Sequence, residues 1–259
     1  MERTLHALED FILTAEEYGV KKIRAVSTGV VRRAINRNLF LALIHNRTGI
    51  DVLIISGEKE ARFTREGVLH ALNIDSGASV IFDLGGGTTE FISGYKDNSV
   101  VRSVPLGAMV LTQKFLGSDT PGQDKIEKLS EYTDKILNGA LPRKRYGENI
   151  RLVGSGGTVT TLAAMIKRID IKDITDKRLN GLILERGQIE DLFTHMKSIS
   201  ISERLRLPGL DRARAGAILA GAVTVIRILY FFHSERMTVS YSDILEGILI
   251  SYLQGEYHE

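Results

Sequence analysis

Residues suited to phosphate chemistry cluster in four short segments. The first runs Val80-Ile81-Phe82-Asp83-Leu84-Gly85-Gly86-Gly87-Thr88-Thr89-Glu90. An apolar strand would deliver Asp83 to its end, followed by three glycines, two hydroxyls and a second carboxylate. Consecutive glycines let backbone N–H groups converge on an anion without interference from a Cβ. Asp83 and Glu90 could hold a hard cation such as Mg²⁺, directly or through water, beside a bound phosphate. No Gly-Lys-Ser/Thr follows, so this is not a Walker loop, and the expected hairpin argues against a dinucleotide fingerprint. The alternative is a tight glycine-rich turn with no ligand.

The second segment, Leu152-Val153-Gly154-Ser155-Gly156-Gly157-Thr158-Val159-Thr160-Thr161, follows a strand and opens a helix. Helix N-termini bind anions through their free N–H groups and dipole; simple strand–helix packing with Thr158 as the N-cap is the alternative. The third is Ile54-Ile55-Ser56-Gly57-Glu58-Lys59-Glu60-Ala61-Arg62. Glu58 and Glu60 cannot share one helix face, so one could serve as general base for water, or either could simply favour the helix dipole. The fourth, Ser27-Thr28-Gly29-Val30-Val31-Arg32-Arg33-Ala34, puts two arginines in a first helical turn. Cations there oppose the dipole, which favours a reason such as phosphate binding. Arg143-Lys144-Arg145 reads as a solvent-facing basic cluster.

Other chemistries are excluded. No cysteine is present, which removes disulfides, thiolate metal sites and thiol catalysis and fits a reducing cytoplasm. The six histidines are scattered, and no Gly-x-Ser-x-Gly elbow occurs. A net charge of +2 gives no global field for nucleic acid or a membrane surface. The opening Met1-Glu2-Arg3-Thr4-Leu5-His6-Ala7 is not the start of a signal peptide. The most apolar stretch, Ala215 to Ile226, is too short for a bilayer of roughly 30 Å and reads as a buried helix.

The elements that must position these residues follow from periodicity. Leu5, Leu8, Ile12 and Ala15 share one face of a helix from Thr4 to Tyr18, with Gly19 just past its end. Strands are expected at Lys21 to Ser27 and Asp51 to Ile55, around a helix from Val30 to Arg47. A helix over Glu58 to Leu72 precedes three strands: Gly77 to Phe82, Glu90 to Tyr95, and Ser99 to Pro105, the last two joined by Lys96-Asp97-Asn98. Helices fit Gly107 to Leu116 and Gln123 to Asn138. A strand at Ile150 to Val153 and a helix after Gly157 come next, with Asp170 to Asn180 unassigned. Helices at Gln188 to Ser198 and Asp211 to Phe232, a short strand at Thr238 to Ser240 and a helix at Ile244 to Leu253 close the chain. Continuous apolar strands alternating with helices imply an α/β fold with a parallel component. The 259 residues allow one large domain or two modest ones, with a boundary near Gly57.

In combination these segments resemble the exopolyphosphatase / guanosine pentaphosphate phosphatase family of the actin–hexokinase–Hsp70 superfamily. Pro105-Leu106-Gly107-Ala108, Gly156-Gly157-Thr158 and Leu207-Pro208-Gly209-Leu210 add to the resemblance in the family's order. It implies two ribonuclease-H-like lobes: residues 1–57 as an incomplete first lobe, and 58–247 as the second. The C-terminal helix, 248–259, is expected to pack back on the first lobe. By position Glu60 matches the glutamate that activates water, and Arg32 a phosphate-contacting arginine. Gly85, Gly86, Gly87 and Thr88 match the phosphate loop, Gly156, Gly157 and Thr158 a second cradle, and Asp83 and Glu90 the metal carboxylates. The implied reaction is attack of water on a terminal phosphoryl group of polyphosphate or guanosine pentaphosphate, with Mg²⁺ as cofactor. A cytoplasmic setting and a homodimer are also expected, with no nucleic-acid or membrane partner.

Two departures stand out. The family opens with a strand carrying an Asp-x-Gly-Ser-Asn-Ser loop, which is not found here, so a first-lobe sheet edge should be exposed. The family's Leu-Arg-Glu-Gly appears as Ile244-Leu245-Glu246-Gly247. A catalytically impaired binder of polyphosphate or of a nucleotide alarmone is therefore the alternative function. A sugar or acetate kinase of the same superfamily is a third reading, disfavoured by the segment around Glu60.

Overall fold

A computed structural model describes residues 1–74, 79–93, 100–117, 119–141 and 150–255. The turn Lys96-Asp97-Asn98, the Arg143-Lys144-Arg145 cluster and the outer ends of the strands expected at Gly77, Tyr95 and Ser99 lie outside these residues. So do the last four residues of the expected C-terminal helix. The chain divides into two compact units, Met1–Glu60 and Ala61–Glu259.

In the first unit α1 (Glu2–Glu17) buries Leu5 completely and Leu8, Ile12 and Ala15 partly, which is the expected stripe. It ends in a Schellman pair, with Val20 N donating to the Ala15 carbonyl and Gly19 N to that of Glu16, both at 2.9 Å. Strand β1 (Ala25–Ser27) lies parallel to β2 (Val52–Ile54), pairing Val26 with Leu53. The expected single helix between them is two helices, α2 (Gly29–Arg33) and α3 (Arg37–Thr48). Ala34 is extended at φ −68° and ψ 130°, and the Arg37 guanidinium caps the Arg32 carbonyl at 3.0 Å. Asn36, a residue type suited to a cap and not to a helix interior, marks the break. The first turn of α4 (Gly57–Leu72) completes the unit.

The second unit is a six-stranded mixed sheet in the order β5-β4-β3-β6-β8-β7. Its strands are β3 (Ser79–Leu84), β4 (Thr89–Ser93), β5 (Val100–Val104), β6 (Arg151–Ser155), β7 (Ile183–Glu185) and β8 (Arg236–Val239). β3, β6 and β8 run parallel, while β4, β5 and β7 are antiparallel to their neighbours. Strand alternation sorts the two faces. Ile81, Ile92 and Val153 point to one side and pack against Ala61 and Val68 of α4. Val80, Phe82, Leu84 and Phe91 point to the other, into the main core.

That core is built on α6 (Gln123–Ala140), α7 (Gly157–Ile166), α9 (Arg186–Lys197) and the almost wholly buried α11 (Ile218–Phe231). α11 starts seven residues later than the helix expected from Asp211. The Asp211 carboxylate accepts from Ala213 N at 2.8 Å and holds residues 211–217 in successive turns. β7 escaped the sequence reading because three residues with one buried side chain carry no period. Short helices α5 (Ala108–Leu111), α8 (Asp176–Leu179) and α10 (Ile201–Arg204) connect the larger ones, and a π-helical turn, Thr112–Leu116, extends α5.

The closing helix α12 (Ile244–Leu253) crosses α4 within the second unit. The crossing is tight because both seats are glycines. A Cβ at Gly247 would fall on the Phe63 carbonyl, and one at Gly67 on the Asp243 carbonyl oxygen. Asp243 caps α12, accepting from Leu245 N at 3.1 Å while Glu246 accepts from Asp243 N at 3.0 Å. Gly247→Ala is expected to cost roughly 1–3 kcal/mol through backbone displacement, read as a lower urea midpoint at unchanged slope.

Burial holds the Asp243 carboxyl above its usual range, outweighing the Leu245 N–H that favours its charged form. Its contribution to stability is therefore fully present below the unfolded pKa and is lost as pH rises through the folded one. Asp243→Asn keeps the cap and removes the charge. Its urea midpoint should exceed the parent's at neutral pH, and the gap should close on acidification.

Candidate functional site

The two glycine segments meet at the C-terminal ends of β3 and β6. The first turns the chain from β3 into the antiparallel β4, as a hairpin and not a helix. Gly85 N donates to the Thr88 carbonyl at 3.0 Å, and Thr89 Oγ1 to that of Leu106 at 2.8 Å. The start of α5 is laid on this turn, with Ala108 N donating to the Gly85 carbonyl and Met109 N to that of Gly86, each at 3.0 Å. None of the three glycines has a positive φ. The glycine that the close approach requires is Gly107, where a Cβ would fall on the Gly86 carbonyl oxygen and on Gly87. Gly86 and Gly87 form the exposed tip, and among the described residues their N–H groups find no backbone acceptor.

The second segment carries β6 into α7. Gly156, not Thr158, is the N-cap, at φ 87° and ψ 164°, a conformation reserved for glycine. A Cβ there would collide with Asp83 Oδ1. Thr158 is buried with its methyl against Gly221 of α11, so its offering to an anion is its backbone N–H.

Asp83 pairs in register with Glu90 on β4 and with Ser155 on β6, which places all three on one face of the sheet. Ser103 Oγ donates to Glu90 Oε1 at 2.7 Å. Ser155 is fully buried, and among the described residues its hydroxyl has no hydrogen-bond partner. This all-oxygen set, two carboxylates beside an orphaned hydroxyl, fits a hard cation such as Mg²⁺. Among the described residues no group of three or more acidic or imidazole side chains joins it, so the protein would supply only part of a coordination sphere.

One residue of this rim escaped the sequence reading. The Arg214 guanidinium lies over Gly157, where a Cβ would strike it. It is exposed, forms no ion pair among the described residues, and sits at the positive end of α7. An anion seated between Arg214 and the α7 N–H groups satisfies both. The signal existed: the helix expected from Asp211 had arginines in its first turn, the same anomaly that drew attention to Arg32.

The first unit holds the other two predicted residues in contact. Arg32 Nη1 donates to Glu60 Oε2 at 3.2 Å and to the Ile55 carbonyl at 2.7 Å. Both side chains are part-buried, whereas Glu58 is exposed. Ser56 Oγ accepts from Lys59 N at 3.1 Å and fixes the start of α4, which aims Glu60. The predicted residues thus fall into two clusters, Arg32–Glu60 in one unit and Asp83, Glu90 and both cradles in the other.

A mixed sheet whose first hairpin and first crossover helix are both led by glycines is an α/β domain of the actin-like ATPase type. The chain belongs to the Ppx/GppA phosphatase family, whose model matches residues 1–256. Among solved structures it is similar to the Aquifex aeolicus family member, at 31% identity and a TM-score of 0.83 over 100% of this chain and 82% of that one. An exopolyphosphatase from Cytophaga hutchinsonii superposes with a TM-score of 0.86 at 26% identity, over 98% of this chain and 82% of that one. Among curated relatives, exopolyphosphatase 2 of Mycobacterium tuberculosis is 26% identical over 96% of this chain and 80% of its own length. A bifunctional 3-dehydroquinate synthase/phosphatase of Fusobacterium nucleatum is 26% identical over 99% of this chain, which spans only 39% of that protein.

Two glycines separate the structural role of the cradles from an anion-binding one. Gly156→Ala should destabilise the protein by about 2–4 kcal/mol, from backbone conformation and the clash at Asp83. A Cβ at Gly87 meets nothing within 4 Å. Gly87→Ala should therefore keep the parent's thermal midpoint and, by calorimetry, bind pyrophosphate several-fold more weakly.

Proposed function

We propose that this protein hydrolyses terminal phosphoanhydride bonds of inorganic polyphosphate. The observation that carries the reading is the seating of Asp83 against Gly156 where the two cradles meet, with Arg214 over the helix end beside it. Such a rim offers N–H groups and a guanidinium to successive phosphates of a chain. The water-activating role of Glu60 rests on its match to the family's glutamate. The water oxygen bonds the terminal phosphorus, the bridging P–O bond breaks, and the water proton passes to the Glu60 carboxylate. Orthophosphate and a chain one unit shorter leave. The Arg32 guanidinium orients the Glu60 carboxylate and is suited to a phosphate oxygen. Asp83 and Glu90 would hold Mg²⁺, which when bound neutralises non-bridging oxygen charge.

A second substrate, guanosine pentaphosphate, is favoured by one feature. Met109 and Val110 are 57% and 43% exposed, and Met109 packs on Gly86, so an apolar rim adjoins the cradle. Such a rim suits a nucleoside better than a bare phosphate chain. No helix among the described residues is long and apolar enough to cross a membrane; with the lack of cysteine, a cytoplasmic setting is consistent with this chemistry.

The test is orthophosphate release from polyphosphate and from guanosine pentaphosphate, with and without Mg²⁺. Glu60→Gln should lower kcat by about 10²–10⁴-fold, the range for losing a general base, at little change in KM. Undiminished turnover in that variant removes Glu60 from the mechanism, and no release by the parent leaves a binding protein.

A further inference from the structure

At the far end of α7 from the glycine cradle, a cleft of about 410 Å³ opens between the helix terminus and the segment leading to β7. It is shallow and largely open to solvent. Ile169 and Leu182 line it and rest on the main core, giving an anchored apolar surface. Lys167, Arg168 and Arg178 bring three cations to its walls, and Asp170 and Asp173 two carboxylates. Among the described residues none of these five charges forms an ion pair. The cleft lies about 15 Å from the cradle along the ten residues of α7.

Arg168 is the telling residue. It closes α7 in a Schellman motif, with Ile169 N donating to the Ala164 carbonyl at 2.8 Å and Arg168 N to that of Met165 at 3.1 Å. Its φ of 53° is one that the chain elsewhere gives to glycine, Asn73 or His233. Asparagine and histidine are enriched in that conformation, and arginine is not. Glycine would serve the helix end better. Cations favour a helix C-terminus, which accounts for Lys167. It does not account for an arginine in a left-handed conformation, nor for Arg178 converging on it from another helix.

We propose that this cleft binds a nucleoside phosphate at a site separate from the glycine cradles. Phosphate oxygens would meet Arg168, Arg178 and Lys167, the flat base would lie on Ile169 and Leu182, and Asp170 and Asp173 would accept from ribose hydroxyls or base N–H groups. The site stands whatever reaction the cradles perform.

Calorimetric titration with ADP, adenosine and pyrophosphate tests it, in the parent, Arg168→Gly and Arg178→Ala. The parent should bind ADP, and both variants should bind it at least ten-fold more weakly. Arg168→Gly should match or exceed the parent's thermal midpoint, which separates lost recognition from lost folding. Arg168→Lys, retaining the charge, should recover part of the affinity. No ADP binding by the parent, or equal binding by Arg168→Gly, overturns the site. Pyrophosphate binding that Arg168→Gly weakens as much as it weakens ADP binding overturns the assignment to nucleosides.

Discussion

Backbone approaches closer than a β-carbon allows govern this chain. Asp83 can lie where it does only because Gly156 has no side chain, and α5 can cover the first hairpin only because Gly107 has none. The same condition recurs where α12 crosses α4 at Gly67 and Gly247. Each seat joins segments distant in sequence, so a single glycine sets both a tertiary contact and the shape of the rim. The oxygen donors of β3, β4 and β6 are brought to one edge by strand register, and the glycines let main-chain N–H groups reach the same edge.

The second organising term is the placement of two arginines, Arg214 and Arg32. Arg214 lies over the start of α7, where the helix dipole disfavours a cation, whereas Arg32, expected in a first helical turn, falls in the last turn of the five-residue α2. Arg32 finds an acidic partner in Glu60, and Arg214 finds none among the described residues. A net charge of +2 is thus compatible with a polyanionic substrate, because what matters to the anion is the field at the rim.

The α/β class, most of the longer helices and the hairpin after Asp83 were legible in the sequence, because strand runs and helical periods of sufficient length are read locally. Gly156 and Gly157 were legible as a loop but not in their roles. Nothing local says that one is confronted by Asp83 and the other by Arg214. Arg214 itself hid in the lead-in to an apolar run that reads as helix from Asp211, since an Asx turn outweighs hydrophobic period over one segment. The break at Ala34 was lost for a related reason: it is held by a guanidinium reaching back five residues, a contact with no sequence period. The pairing of Arg32 with Glu60 spans 28 residues and depends on β1 and β2 lying side by side.

The first unit holds its helices together differently from the second. Its fully buried apolar side chains are few, Leu5, Ile44 and Ile55, and α1 is tied to α3 by exposed pairs from Arg47 to Glu2 and Glu9. Exposed pairs weaken as salt rises, whereas the core around α11 does not depend on them. Resistance to opening is therefore unevenly distributed along the chain. The amides of α1 and α3 belong to its low-stability end, and ionic strength acts as a selective solvent for that end alone.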